Sequence, residues 1–301
     1  MTFNLESFKP SMDLSIIVVN WNTRKLLRQC LEAVYGTLRG LDFDVWVVDN
    51  ASTDGSARMV RDDFPQVRLI ENAENLGFAC ANNQALSKCA GRYVLLLNSD
   101  AFVQFGAVQQ LAEALEEDPH AGITGPRLIY PDGCEQTSHG QLPSFRSEIL
   151  SLLGWDRLTA RSHLSSDPAE VVETGVVSGA CLFARSQMLD EIGFLDDRFF
   201  MFSEEVDLCA RAGQAGWKVL YVPSAQVIHI GGGSSELTAQ RVLDLYAAKR
   251  QYFQKYQGDA AAHRLLTAMW VASCLKLVFY GLCSRPRARL WRQVVLKLNE
   301  L

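Results

Sequence analysis

Three acids fall within four residues in SEEVDL: Glu204, Glu205 and Asp207, between the aromatic run FFMF (199–202) and the apolar Val206 and Leu208. Like charges crowded beside apolar groups raise carboxyl pKa values and cost stability. Functional use therefore accounts for the cluster better than a solvated face does, and such a carboxylate can take a proton from a hydroxyl. Two further acids close apolar runs. Asp49 ends VWVVD and opens the turn NASTDGS, where it can accept a hydrogen bond from the imide N–H of a uracil or thymine ring; the same small polar residues can equally cap the next helix. Asp100 follows LLLNS and offers an oxygen to a hard cation bridging a diphosphate, although a lone acid there also serves as a cap. His229, in VIHIGGGS, is a metal ligand if its strand reaches Asp100 and a core histidine otherwise.

These groups meet only if the chain alternates strands and helices. LSIIVVN (Leu14–Asn20), FDVWVVDN (43–50), VRLIEN (67–72), RYVLLLNSD (92–100) and VVSGACLFAR (176–185) have the apolar, β-branched character of buried strands. Helices are expected after the first strand, with Leu26, Leu27, Cys30, Leu31 and Val34 on one face, then at 78–89, at 186–192 and from the acid cluster onward. KVLYVP (218–223) and AQVIHI (225–230) read as two short strands, and everything past Leu237 reads as helical. Pro131, Gly133, Gly140 and Pro143 mark an irregular stretch over 130–174. Such alternation implies right-handed crossovers in an open α/β sheet, whose ligands bind beyond the carboxyl ends of the strands. The polar clusters at 20–22, 49–56 and 98–100 all fall at that edge.

Charge divides the chain unevenly. From Arg241 to Leu301 there are 11 Lys and Arg against 3 Asp and Glu, net +8, while the other 240 residues carry 18 against 31, net −13. The overall −5 gives no reason to expect nucleic acid as a partner. The basic tail suits either an anionic surface such as a membrane or a solvated helical face. Eight scattered cysteines without a C-x-x-C pair fit reduced thiols in a cytosol. Residues 1–12 carry charges and a proline and lack a long apolar core, so no secretory signal is expected.

Taken in order, SIIVVNWN, VVDNASTDGS, NLGFACANN, LLLNSD, SGACLFAR, FFMFSEEVDLCAR, AGW and VIHIGGGS resemble the family 2 glycosyltransferases, and most of all their bacterial rhamnosyltransferase-like subgroup. The similarity runs over residues 14–235. It implies an α/β GT-A fold, Rossmann-like, with a mostly parallel open sheet and helices on both faces, over residues 1–236. A C-terminal helical, basic region follows over 237–301. The resemblance further implies that Val19 and Trp21 line the nucleotide pocket with Asp49 on the base, and that Asn75, Gly77, Phe78, Asn82 and Asn98 shape the donor site. It places Asp100, with His229 as second protein ligand, on a divalent cation (Mg2+ or Mn2+), and Glu205 in the catalytic-base position with Asp207 as the alternative. Two positions depart from the family pattern: Asn98 stands where an acid is frequent, and Glu205 where aspartate is usual.

The expected reaction is an inverting, metal-dependent transfer from a nucleotide-diphosphate sugar, dTDP- or UDP-linked, to a glycan or lipid-linked saccharide. The expected location is the cytoplasm, with peripheral contact at the inner membrane face. A catalytically idle nucleotide-sugar-binding scaffold is the alternative. A nucleotidyltransferase would carry a glycine-rich basic loop near its first strand, and VNWNTRK (19–25) has no glycine. No G-x-G-x-x-G follows the first strand, which disfavours a dinucleotide oxidoreductase. In the tail, LLTAMWVASCLKLVFYGLC (265–283) is apolar but carries Lys276, and SRPRARLWR (284–292) adds four arginines and a tryptophan. That pairing suits a membrane interface as well as packing on the protein or a dimer contact.

Overall fold

The computed structural model describes residues 14–38, 40–153, 170–231 and 238–298. Residues 1–12, the end of the VIHIGGGS motif from Gly232 on, and the boundary at 236–237 lie outside them. The chain divides into two compact units: one of 1–141, 167–198 and 204–234, the other of 142–166, 199–203 and 235–301.

The first unit is a twisted α/β sheet. β1 (Leu14–Asn20) is buried nearly throughout because each of its faces meets a different core. Ile16 and Val18 join Leu27, Leu31 and Val34 of α1 (Arg24–Thr37), while Ile17 packs into a second core on the other side. A strand covered on both faces reads as an unbroken apolar run, as this one does. β2 (Phe43–Asp49), α2 (Ser56–Asp63), β3 (Arg68–Glu71), α3 (Phe78–Leu86) and β4 (Tyr93–Asn98) continue the alternation. β3, β2, β1 and β4 lie side by side in that order, all parallel. The order reverses between β1 and β4, the kind of switch point where α/β sheets open a crevice.

Beyond β4 come β5 (Ala101–Val103), α4 (Ala107–Glu117) and β6 (Ala121–Ile129), then the short β7 (Glu135–Gln136) and β8 (His139–Gly140). In the second unit α5 (Phe145–Leu152) follows, its first turn closed by reciprocal Ser144–Ser147 caps. The first unit resumes with β9 (Val172–Thr174), β10 (Val176–Val177), β11 (Cys181–Arg185), α6 (Ser186–Ile192), α7 (Glu204–Gln214) and β12 (Lys218–His229). The sheet order is completed as β4-β11-β6-β12-β5. β11 runs antiparallel to both of its neighbours, whereas β12 is parallel to β6. A Cβ on Gly125 of β6 would lie 2.5 Å from the Val177 Cβ, so only glycine lets β10 cross there. α1, α2 and α4 cover one core and α3, α6 and α7 the other.

The structure refines several expected boundaries. The single strand expected over 176–185 is two, β10 and β11, lying in different sheets and parted by a turn in which the Ala180 N–H donates to Ser178 Oγ. The two strands expected over 218–230 are one, β12. Its register with β6 jumps from Val222 opposite Pro126 to Gln226 opposite Arg127, so Pro223, Ser224 and Ala225 stand against a single step of β6.

The second unit is helical. α8 (Ala239–Gln257), α9 (Asp259–Cys283) and α10 (Arg285–Lys297) bury Leu243, Tyr246, Phe253, Leu265, Met269, Trp291 and Val294. Inside it Glu148 of α5 pairs with Lys249 of α8 at 2.5 Å. α9 is the one helix among the described residues long and apolar enough to cross a membrane, and little of it is buried. All eight cysteines are free, with Cys30, Cys181 and Cys209 wholly inside.

Candidate active site

Register brings the three polar clusters together. Asn20 pairs with Asp49 across β1 and β2, and Val19 with Asn98 across β1 and β4. Asn20, fully buried, donates from Nδ2 to Asp49 Oδ1 at 2.9 Å and to Ser52 Oγ at 3.0 Å. Asp49 Oδ2 accepts from the Ser52 N–H at 2.9 Å. Thr23 donates to Asn20 Oδ1 at 2.6 Å, and its hydroxyl lies 2.7 Å from that of Ser99. Each Asp49 oxygen thus has one donor, and a carboxylate has about four acceptor sites, so an imide N–H can still be received. Asn22 and Ala51 hold this edge in left-handed backbone, at φ 54° and 62°, a strained conformation that side chains adopt where surroundings force it. Trp21 stands beside them, half exposed, and Val19 is half-buried.

The NLGF turn is tied to the same edge. Asn50 donates from Nδ2 to the Gly77 carbonyl at 2.9 Å and accepts from Asn72 Nδ2 at 2.8 Å. Asn75 Oδ1 receives the Gly77 N–H at 3.0 Å, and Gly77 itself takes φ 83°, ψ 179°, which glycine alone adopts readily. Phe78 is half-buried. Asn82 is fully buried, donates to the Phe78 carbonyl at 2.9 Å, and leaves Oδ1 buried with no hydrogen-bond partner among the described residues.

Asp100 and His229, far apart in sequence, are neighbours. β5 pairs antiparallel with β12, setting His229 opposite Ala101, and His229 Nε2 lies 3.3 Å from Asp100 Oδ1. Gln136 of β7 holds the ring from behind: its Nε2 donates to the His229 carbonyl, and its Oε1 lies 2.9 Å from Nδ1. A carbonyl only accepts, so the amide nitrogen must face it and Oε1 must face Nδ1. Nδ1 then carries a proton, and Nε2 faces the carboxylate. At that distance the oxygen–nitrogen pair suits an ion pair with a protonated ring, and equally a divalent cation held between the two atoms. Among the described residues no group of three or more His, Cys, Asp or Glu is placed to hold a metal; Asp100 and His229 form a pair.

The acids of α7 have three different settings. Because β11 is antiparallel, the residues before it sit at the carboxyl edge of β4: the Asn98 N–H donates to the Ala180 carbonyl at 2.9 Å. Glu205 packs there, its Cβ 3.4 Å and carboxyl carbon 3.7 Å from where a Gly179 Cβ would stand. Glu204 is buried, and Oε2 has no hydrogen-bond partner among the described residues; burial first, and then the charge of Glu205, push its carboxyl well above the usual range. Asp207 is wholly buried and paired with Arg211 at 2.8 Å. The Arg211 guanidinium also donates to the carbonyls of Ile192, Gly193 and Phe194. Asp207 therefore anchors the loop after α6. That i, i+4 pair was a readable signal, whereas Gln136 lies in a stretch whose prolines and glycines hide any pattern.

A mixed α/β sheet of this order, with its polar residues gathered at one edge, is the GT-A fold. It matches GalNAc-T7 crystallised with UDP, GalNAc and Mn2+ (TM-score 0.59, 17% identity, 84% of this chain and 52% of that one). It also matches the mannosyltransferase PcManGT of Pyrobaculum calidifontis in complex with GDP-Man and Mn2+ (TM-score 0.56, 17% identity, 97% and 88%). Residues 15–193 match glycosyl transferase family 2, and the chain belongs to that family. Among its relatives is the N-acetylglucosaminyl-diphospho-decaprenol L-rhamnosyltransferase of Mycobacterium tuberculosis, 36% identical over 202 residues. The match covers 62% of this chain and 66% of that protein's length.

Proposed function

We propose that the protein is an inverting glycosyltransferase that moves a sugar from a dTDP- or UDP-linked donor to a hydroxyl of a lipid-linked saccharide. Asp49 receives the pyrimidine imide while Trp21 and Val19 flank the base, and the Asn75–Gly77–Phe78 turn with Asn82 and Asn98 borders the ribose and diphosphate. Asp100 and His229 hold a divalent cation, Mg2+ or Mn2+, which when bound offsets the charge gathering on the diphosphate leaving group. Glu205 takes the proton from the acceptor hydroxyl as its oxygen attacks the anomeric carbon from the side opposite the nucleotide, so the centre inverts. The carrying observation is the Gly179–Ala180 turn, which seats Glu205 beside the Asn98 end of β4. Asp207 is the weaker candidate because its carboxylate is committed to Arg211. Support for the lipid-linked acceptor comes from the decaprenol-linked saccharide named for the mycobacterial relative, and such an acceptor would bring the enzyme to a cytoplasmic membrane face.

Glu205→Gln is expected to lower turnover by about 10²-fold or more while donor binding holds. Near-normal turnover would remove Glu205 as base, and a retained anomeric configuration in the product would rule out the single displacement. A thermal-shift comparison of dTDP and UDP with Mn2+ ranks the donors by mass action. Nucleotide binding without turnover on any nucleotide-sugar would leave the idle scaffold in its place.

A further inference from the structure

The second unit leaves an apolar stripe uncovered. Val271, Leu275, Val278 and Leu282 of α9 recur at i, i+4, i+7 and i+11, one helical face. Leu275, Val278 and Leu282 are 60, 67 and 88% exposed, with Phe279 beside them at 63%. The opposite face of α9, with Ala262, Leu265, Met269 and Ala272, is buried. Lys276, which interrupts the apolar run in sequence, does not interrupt the stripe: its ammonium lies 4.6 Å over the Trp291 ring of α10. α10 repeats the spacing in cations. Arg285, Arg289, Arg292 and Leu296 share an exposed face, while Trp291, Val294 and Leu298 point inward.

We infer that these two stripes seat the protein on an anionic lipid surface, with α9 lying in the interface. Apolar side chains flanked by arginines are the composition of interfacial helices. The free stripe covers about a dozen residues, ~18 Å of helix, against a hydrocarbon core of about 30 Å, and the rest of α9 is held by its buried face. That exposed stripe, unlike the full length of α9, is long enough to lie in a membrane interface and too short to cross one. A second copy fits less well, because a twofold contact sets a patch against itself and would bring the arginine rows together. This inference stands whichever sugar is transferred.

Flotation of the full chain with phosphatidylglycerol-containing and pure phosphatidylcholine vesicles tests it. Binding should favour the anionic vesicles and weaken with salt. Replacing Arg285, Arg289 and Arg292 together by Gln should lower partition by roughly 100-fold at low salt, about five-fold per arginine. Val278→Ser, Phe279→Ser and Leu282→Ser combined should abolish flotation on both vesicle types, with circular dichroism and turnover on a soluble acceptor analogue unchanged. Failure to float at low salt overturns the inference, as does resistance of bound protein to carbonate extraction, which would mean a spanning helix. A dimer that the serine variant dissolves, in protein that never floats, would give the stripe to a second copy.

On the first unit, the geometry assigns Gln136 as the positioning residue for His229, an assignment that rests on the proposed cation site only for its consequence. Oε1 on Nδ1 and Nε2 on the His229 carbonyl keep a proton on Nδ1 and fix the ring plane, which aims Nε2 at Asp100. In cation-free protein at a pH where the ring is neutral, side-chain 15N spectra should show His229 as the Nδ1–H tautomer and a mixture in Gln136→Leu, with Gln136→Glu restoring it. Mn2+ affinity in the presence of UDP should fall by about 10-fold or more in Gln136→Leu. An unchanged tautomer in Gln136→Leu overturns the assignment. A changed tautomer with Mn2+ affinity indifferent to His229→Ala would sink the cation site and leave the positioning role standing.

Discussion

Asp49 and Glu204 are both buried carboxyls of the sheet unit, and their surroundings are opposite. Asp49 sits among donors: Asn20 and the Ser52 N–H each satisfy one oxygen. Glu204 has a buried oxygen with no hydrogen-bond partner among the described residues and the charge of Glu205 close by. Three residues along the same helix turn, Asp207 repeats the satisfied pattern with Arg211. Burial of a carboxylate is stabilising or destabilising according to what faces it. The satisfied acids hold the scaffold in shape, and the unsatisfied one marks where the fold concedes stability next to the proposed base.

The sharpest way to break that contrast is Asp207→Ala. It leaves the Arg211 guanidinium without its counter-charge in a buried place, and should destabilise the protein by about 3–5 kcal/mol, read by urea unfolding. A loss near zero would mean that the carbonyls of 192–194 suffice for Arg211. Asn20→Ala should come next. It strips a donor from Asp49 and Ser52 and an acceptor from Thr23, an expected loss of about 1–3 kcal/mol together with weaker UDP binding in a titration. Unaltered nucleotide affinity would detach Asp49's setting from donor recognition. The smallest effect is expected at Glu204. Its native carboxyl titrates above the ordinary 4.5, so the native state keeps a proton that the unfolded chain has already lost. Stability from this group is therefore full below about 4.5 and falls as pH rises through the native value. Glu204→Gln should flatten that part of the stability–pH curve, and an identical slope in both proteins would show that Glu204 is not the strained group.

Legibility in the sequence followed how completely an element is determined by its own residues. β1 and α6 fall where periodicity places them, at Leu14–Asn20 and Ser186–Ile192, since a doubly covered strand and a short amphipathic helix announce themselves. β5, α4 and β6 drew no assignment. β6 carries Gly122, Gly125 and Pro126, residues that read as breaks; here Gly125 packs closely on Val177 and Gly122 on Met188 and Trp217. The helix at Phe145–Leu152 was hidden inside a stretch read as irregular. For the site, the edge position of Asp49 and Asp100 was legible because strand ends are local. The meeting of Asp100 with His229 depended on β5 pairing with β12, a long-range event that no local pattern encodes, and Gln136 enters only through that pairing.

The jump in register between Val222 and Gln226 has a consequence for how this chain can tolerate insertions and deletions. Side chains alternate faces along a strand, so parity decides which of them look toward Asp100. Pro223, Ser224 and Ala225 form a bulge in β12, with Pro223 and Ala225 buried and Ser224 exposed. Loss or gain of one residue there would turn Val227, Ile228 and His229 over together, moving the imidazole to the far side of the sheet with its own codon untouched. Related sequences should therefore vary in residue type mainly at the exposed Ser224 and very little in how many residues fill this segment.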